Sequence, residues 1–159
     1  MVSKYMDMLV ECLEKKNQIL DKLTELNKKQ TNLIQDEDFS LSEFDKCVDE
    51  KGILIDNILK LDSGFEGLYN KVGKTVADNP SEYKEQLSKM QKLITQITEK
   101  SVSIQAEEER NKKLIESRFS REKSRIKSGR SQSRVALDYY NNMNKLNHVD
   151  SQFWDKKFY

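Results

Sequence analysis

The sequence predicts an all-α protein: an elongated antiparallel bundle of three long, coiled-coil-like helices with a basic, aromatic-ended C-terminal tail. Apolar residues recur at spacings of three and four over most of the chain, which places them along one helix face. The chain is 35% charged and 36% hydrophobic, with one proline and five glycines, so residues that favour exposed helix dominate and turn formers are few. We expect a helical bundle at 1–128, with helices at about 3–35, 41–77 and 80–125. A mobile or conditionally helical binding segment is expected at 129–159.

The first helix is predicted from one apolar stripe. Lys16 and Gln30 interrupt this stripe, and its apolar members are Tyr5, Leu9, Leu13, Ile19, Leu20, Leu23, Leu26, Leu33 and Ile34. A helix over about 3–35 is roughly 50 Å long at about 1.5 Å per residue. That length predicts an elongated molecule.

The second helix has a recognisable start. Ser40 can cap the first turn, Glu43 can reach back to it, and Phe39 can pack on Phe44. We therefore expect a helix from Leu41.

Two apolar rows follow along this second helix. Lys51 and Asp62 fill two positions of the main row, whose apolar members are Phe44, Val48, Ile55, Ile58, Phe65, Tyr69, Val72 and Val76. The other row repeats every seven residues at Cys47, Leu54, Leu61 and Leu68. Such a wide face predicts two helical partners, in the same chain or in another, and hence the centre of the bundle. The glycines between Gly64 and Gly73 predict a bend or a close helix approach.

The third helix is predicted to begin at Pro80. Asn79 can cap it, proline suits the first helical position, and Glu82 supplies an acid in the first turn. Its stripe runs through Tyr83, Leu87, Met90, Ile94, Ile97 and Ile104, then fades at Ser101, Glu108 and Asn111 before Leu114, Ile115 and Phe119.

Charge divides the chain. Residues 1–109 hold 15 basic and 22 acidic residues, net −7, and residues 110–159 hold 13 and 5, net +8. The stretch 110–134 could follow a phosphate backbone, so a nucleic-acid-binding coiled coil is one alternative function. It has one aromatic, Phe119, for base stacking and no nucleic-acid motif, so a basic segment that faces the acidic part of the chain is favoured.

The tail recovers hydrophobicity after this stretch. Val135, Ala136, Tyr139, Tyr140 and Met143 share one side of a possible amphipathic helix, which suits binding in a partner's groove. The equally weighted alternative is that this helix completes the bundle.

The sequence offers little for catalysis. It has one histidine, no glycine-rich phosphate loop, and no metal-ligand spacing among Cys12, Cys47 and His148. We expect no enzyme activity, no cofactor and no metal. Two cysteines without a signal peptide indicate the cytoplasm, and no apolar run is long enough for membrane insertion.

Several segments, taken in order, resemble the FlgN-type flagellar export chaperones. They are the turn Asp38–Leu41 between two heptad helices, Ala106–Asn111, Gly129–Arg130, Ala136–Tyr140 and Phe153–Lys157. The resemblance spans nearly the whole chain. It implies a cytoplasmic chaperone of the flagellar type III export system that binds the hook-associated junction proteins and delivers them to the export gate.

The resemblance also implies which residues bind. Cargo contact would fall on Val135, Leu137, Tyr139, Tyr140, Met143 and Leu146, and the terminal aromatics Phe153 and Trp154 are further candidates. Tyr139 or Tyr140 matches a tyrosine that the family links to the export gate. A structural coiled-coil adaptor is the second alternative function, and a homo-oligomer is possible.

Overall fold

A computed structural model describes residues 1–121. Three α-helices make up almost all of this part: α1 at Val2–Gln35, α2 at Leu41–Asp78 and α3 at Lys84–Arg121. The predicted all-α bundle of three long helices is confirmed. The predicted boundary at residue 128 and the tail segment 129–159 lie outside the described residues.

The start of α2 follows the predicted local chemistry. The Ser40 hydroxyl accepts a hydrogen bond of 3.2 Å from the Glu43 backbone N–H, and the Phe39 and Phe44 ring centroids lie 6.0 Å apart. The Glu43 carboxylate does not reach back to Ser40 but lies 3.4 Å from the Lys46 ammonium. The side-chain cap and the aromatic pair therefore fix where α2 begins.

The predicted start of α3 at Pro80 is wrong. The Asn79 side-chain amide donates to the Thr75 carbonyl at 3.0 Å, so Asn79 ends α2 instead of capping a new helix. Residues 80–83 form a turn in which the Glu82 N–H donates to the Asn79 carbonyl. The first turn of α3 is closed by a bond from the Leu87 N–H to the Tyr83 carbonyl.

The predicted central position of α2 is also wrong, because α1 is the central helix. Helix α1 approaches both α2 and α3 closely, whereas no Cα of α2 comes within 8 Å of a Cα of α3 in the described chain. One side of α1 meets α2, as in the Lys16–Asp62 pair, and another meets α3, as in the Asn27–Asn111 pair. Helices α2 and α3 therefore meet only through long side chains in the described chain, as in the Lys51–Glu108 pair.

The helices run up, down and up, so α1 and α3 are parallel. Gln86 contacts Asp7 near the starts of α3 and α1, and Arg118 contacts Ile34 near their ends. We call the end of the bundle at residues 36–40 the loop end, and the end at residues 79–83 the turn end. Arg121, the last described residue, follows Arg118 and Phe119 at the loop end.

One continuous apolar core runs between the helices. Its largest fully buried apolar side chains are Met6, Leu9, Leu13, Leu23, Phe44, Ile55, Ile58, Met90, Ile97 and Ile104. No helix in the described residues has the length and apolarity needed to cross a membrane.

Candidate interaction surface

Polar pairs inside the bundle fix the register of the helices. The Lys16 ammonium lies 2.9 Å from an Asp62 carboxylate oxygen, which joins the middle of α1 to α2. The Lys51 ammonium lies 2.5 Å from both the Gln30 side-chain oxygen and a Glu108 carboxylate oxygen, which joins all three helices. If one helix slipped along another, these buried charges would lose the partners named here, at a cost of several kcal/mol each.

The environment of Lys51 is unusually dry. Its side chain has no solvent exposure, and this burial lowers the pKa of the ammonium to about 8, although the neighbouring Glu108 carboxylate acts in the opposite direction. The Lys51 side chain therefore loses its proton at a lower pH than an exposed lysine does.

Arg118 ties α3 to the loop end. Its guanidinium donates to the carbonyls of Ile34 at 2.9 Å, Asp36 at 2.6 Å and Glu37 at 2.9 Å. It also lies 5.1 Å from the centroid of the Phe39 ring. Because these contacts hold the Arg118 guanidinium inside the bundle, Arg118 cannot contribute to the basic surface that the nucleic-acid-binding alternative requires.

A second apolar row accompanies the core row of α1. Its members repeat every seven residues and are all half-buried: Tyr5, Cys12, Ile19, Leu26 and Leu33. Residues seven apart lie on the same face of a helix, so this row forms a continuous strip about 42 Å long.

The matching row on α2 lies directly beside it. In the antiparallel register that Lys16–Asp62 and Gln30–Lys51 define, Leu26 is level with Leu54, and Ile19 is level with Leu61. The α2 row consists of buried Cys47 and half-buried Leu54, Leu61 and Leu68. We call these nine residues of α1 and α2 the outer seam.

Helix α3 packs on the other side of α1. Its contacts join Gln86 to Asp7, Gln96 to Asn17 and Lys100 to Asp21. None of these α1 residues belongs to the outer seam. Among the described residues, therefore, no third helix covers the outer seam.

The rim of the outer seam is basic along α1. Lys15, Lys22 and Lys29 are exposed and follow the α1 row at the same seven-residue interval, after an exposed Met8. On α2, Gly64 lies between Leu61 and Leu68, and no atom of another described helix would lie within 4 Å of a Cβ placed there. The outer seam is thus an apolar strip that no other helix of the described chain covers.

Both cysteines of the chain belong to the outer seam, and they are free thiols. Burial raises the pKa of the Cys12 thiol, an effect that nearby Lys15 partly offsets. Burial likewise raises the pKa of the Cys47 thiol. Half-buried Cys12 is therefore a natural reporter of anything that covers this strip.

Two further concavities lie towards the turn end. An apolar cavity of about 140 Å³ is lined by Met6, Leu9, Tyr69, Val72, Gly73, Val76, Ala77, Pro80, Leu87 and Met90. A wider groove between α1 and α3 carries five acids, Asp7, Glu11, Glu14, Glu82 and Glu85, and one lysine, Lys89. Within residues 1–121, no three His, Cys, Asp or Glu side chains are grouped so that they could hold a metal ion.

The binding residues predicted from the sequence all lie outside the described residues: Val135, Leu137, Tyr139, Tyr140, Met143, Leu146, Phe153 and Trp154. Near the end of α3, Ile115 is buried and the Phe119 ring lies 6.3 Å from that of Phe39, so both pack within the bundle. The α1 row of the outer seam was missed because its members were merged with the core stripe. Sorting the same residues at intervals of seven separates the two rows.

The model of the family described as "FlgN protein" matches residues 1–142, which include all three helices and the tail as far as Asn142. The chain belongs to the FlgN family. Membership confirms the resemblance seen in the sequence, and a FlgN protein is a chaperone of flagellar protein export. Comparisons with curated proteins and with solved structures gave no match.

Proposed function

We propose that this FlgN-family chain binds hook-associated junction proteins in the cytoplasm and delivers them to the flagellar type III export gate. The observation that carries the proposal is the family match, which extends beyond α3 into the tail and takes in Val135, Leu137, Tyr139 and Tyr140. Binding and release need no covalent step, so the function requires neither an enzyme activity nor a cofactor.

The tail supplies the cargo contact in this proposal. Tyrosine and methionine bury large side chains at protein interfaces, and an apolar strip on a short helix fits a helix-in-groove interaction. Either Tyr139 or Tyr140 would also meet the export gate. The described helices act as a rigid support, since their buried polar pairs fix one register.

The test is isothermal titration of the full chain with the hook-associated proteins of its own source, at low and high salt. We expect one-to-one binding in the micromolar range or tighter, with little salt dependence. A steep loss of affinity with salt, or binding to nucleic acid instead of these proteins, would favour the basic stretch as the active surface. Absence of any binding would overturn the proposal and leave the adaptor alternative.

A tail variant locates the contact. Replacing Tyr139, Tyr140 and Met143 with alanine should weaken cargo binding by about a hundredfold or more, which corresponds to about 2.7 kcal/mol. The control replaces Asn141, His148 and Gln152 with alanine. These residues face away from Tyr139, Tyr140 and Met143 on the same helical pattern, so this variant should bind as the unchanged chain does. Equal affinities for both variants would show that the cargo binds elsewhere.

A further inference from the structure

The outer seam leaves a fourth position beside α1 and α2 without a helix among the described residues. The nine residues of the outer seam form an apolar strip about 42 Å long. Single hydrophobic residues are common on protein surfaces, but a continuous strip of this length is not. Such a strip requires an occupant of comparable length with its own apolar stripe.

The tail contains a segment with that pattern. Between residues 135 and 153, positions alternate at spacings of four and three, and they hold Val135, Tyr139, Asn142, Leu146, Val149 and Phe153. This is the same heptad alternation that builds α1 and α2. As a helix, residues 135–159 would measure about 37 Å, close to the length of the strip.

The connection is also long enough. Arg118 and Phe119 place the end of α3 against the 36–39 loop, at the same end of the bundle as Leu33 and Cys47. Residues 122–134 can extend to about 43 Å, whereas passing around two helices takes roughly 20 Å.

Charge favours this path. Residues 122–134 contain five basic residues and one acid, and the loop that they would pass contains Asp36, Glu37 and Asp38. The carbonyls of this loop already accept hydrogen bonds from Arg118 of α3. The loop therefore attracts the linker towards the outer seam.

We infer that residues 135–159 dock on the outer seam as a fourth helix when no cargo is bound, antiparallel to α1. The segment then covers Cys12, and cargo binding competes with this docking because Tyr139 belongs to both surfaces. The docking stands on the bundle and the tail pattern alone. The competition rests on the proposed function.

Alkylation of Cys12 in the full chain tests the docking, with mass spectrometry of peptides to read Cys12 and Cys47 separately. Replacing Leu146, Val149 and Phe153 with serine should speed alkylation of Cys12 roughly tenfold, equivalent to about 1.4 kcal/mol of docking. The matched control replaces Asn141, Asn144 and His148 with serine and should leave the rate unchanged. Equal rates in all three proteins would overturn the inference.

Cross-linking supplies a second measurement that does not depend on loss of apolar contacts. If Val135 lies level with Leu33, residue 156 is level with Cys12 and residue 145 is about 16 Å from it along the helix axis. A short bismaleimide should join Cys12 to Lys156→Cys within one chain, and should join it poorly to Lys145→Cys. A link between two molecules would assign the outer seam to a second copy and overturn docking by the chain's own tail.

Adding a hook-associated protein separates the two proposals. If cargo binds and Cys12 becomes more reactive, tail and cargo compete. If cargo binds and Cys12 stays protected, the competition is wrong. If nothing binds while the tail variant still exposes Cys12, the proposed function fails and the docking stands.

Discussion

Lys51 shows how a single residue couples the three helices to pH. Its ammonium contacts Gln30 of α1 and Glu108 of α3 from its own position on α2, in a site without solvent exposure. Burial lowers its pKa from 10.5 to about 8. The folded protein therefore releases this proton well before the unfolded chain does.

The pH dependence of stability follows from this difference. Between about pH 8 and 10.5 the unfolded state binds more protons at Lys51 than the folded state, so the free energy of unfolding rises with pH through that window. The contribution is at most about 3 kcal/mol. Because other lysines and tyrosines titrate in the same range, the measurement compares urea unfolding of the unchanged chain with a Lys51→Met/Glu108→Met variant from pH 7 to 10.

The double variant removes both charges and should lack the rise. At pH 7 it should be as stable as the unchanged chain or more stable, since an apolar pair avoids the cost of burying ions. Lys51→Met alone should be markedly less stable, because it leaves the Glu108 carboxylate buried without this partner. Parallel pH profiles for the unchanged chain and the double variant would contradict the role given to Lys51.

Residue-scale prediction from the sequence found the right positions but not their partners. Lys16, Gln30, Lys51 and Asp62 were visible as polar members of apolar stripes, and Glu108 and Asn111 as places where a stripe faded. That Lys51 meets Glu108, or Asn111 meets the backbone of Asn27, depends on the register between helices, which no periodicity within one helix contains.

At the scale of the element, the glycines of α2 have two different roles. Gly64 and Gly67 are exposed in the helix interior, and neither would bring an added Cβ within 4 Å of another described helix. They do not mark a close helix approach, and α2 runs unbroken from Leu41 to Asp78. At buried Gly73, by contrast, an added Cβ would lie 2.9 Å from the Tyr69 ring, which stacks on Phe65.

Alanine substitutions should separate these roles. Gly67→Ala should raise the free energy of unfolding by about 1 kcal/mol, since alanine loses less backbone entropy in a helix. Gly73→Ala gains the same entropy but displaces the Tyr69 ring, so it should give no increase or a loss. Chemical denaturation of the two variants and the unchanged chain measures both. A similar increase at both positions would show that the Tyr69 ring moves without cost.

The same local signals explain which helix boundaries were predictable. Ser40 and Phe39 act within one turn, so the start of α2 is contained in a few consecutive residues. Asn79 can close a preceding helix or open a following one, and its hydrogen bond to Thr75 decides for the former. A capping residue between two helices thus carries an ambiguity that only the folded chain resolves.

At the scale of the whole molecule, the structure shows where the oppositely charged parts of the chain come close to each other. The acidic 36–38 loop lies at the end of the bundle where α3 leads into the basic residues 122–134. The sequence predicted the asymmetry, and a basic segment that faces the acidic part was the favoured interpretation. The two rows of the outer seam can be found in the sequence, but that no helix of the described chain covers them could not be foreseen, because identifying α1 as the central helix required the packing of all three helices.

Salt should therefore loosen the docking of the tail. Ions screen the attraction between residues 122–134 and the loop. The distance over which charges still attract one another, the Debye length, falls from about 10 Å at 0.1 M salt to about 3 Å at 1 M. We expect Cys12 of the unchanged chain to be alkylated faster as salt rises. A variant with Asp36→Asn, Glu37→Gln and Asp38→Asn should react faster at low salt and respond little to added salt.

The Leu146, Val149 and Phe153 serine variant, measured at the same salt concentrations, shows how salt affects the reactivity of the Cys12 thiol itself. If the unchanged chain and the loop variant respond identically, the loop does not guide the tail, and docking depends on the apolar strip alone.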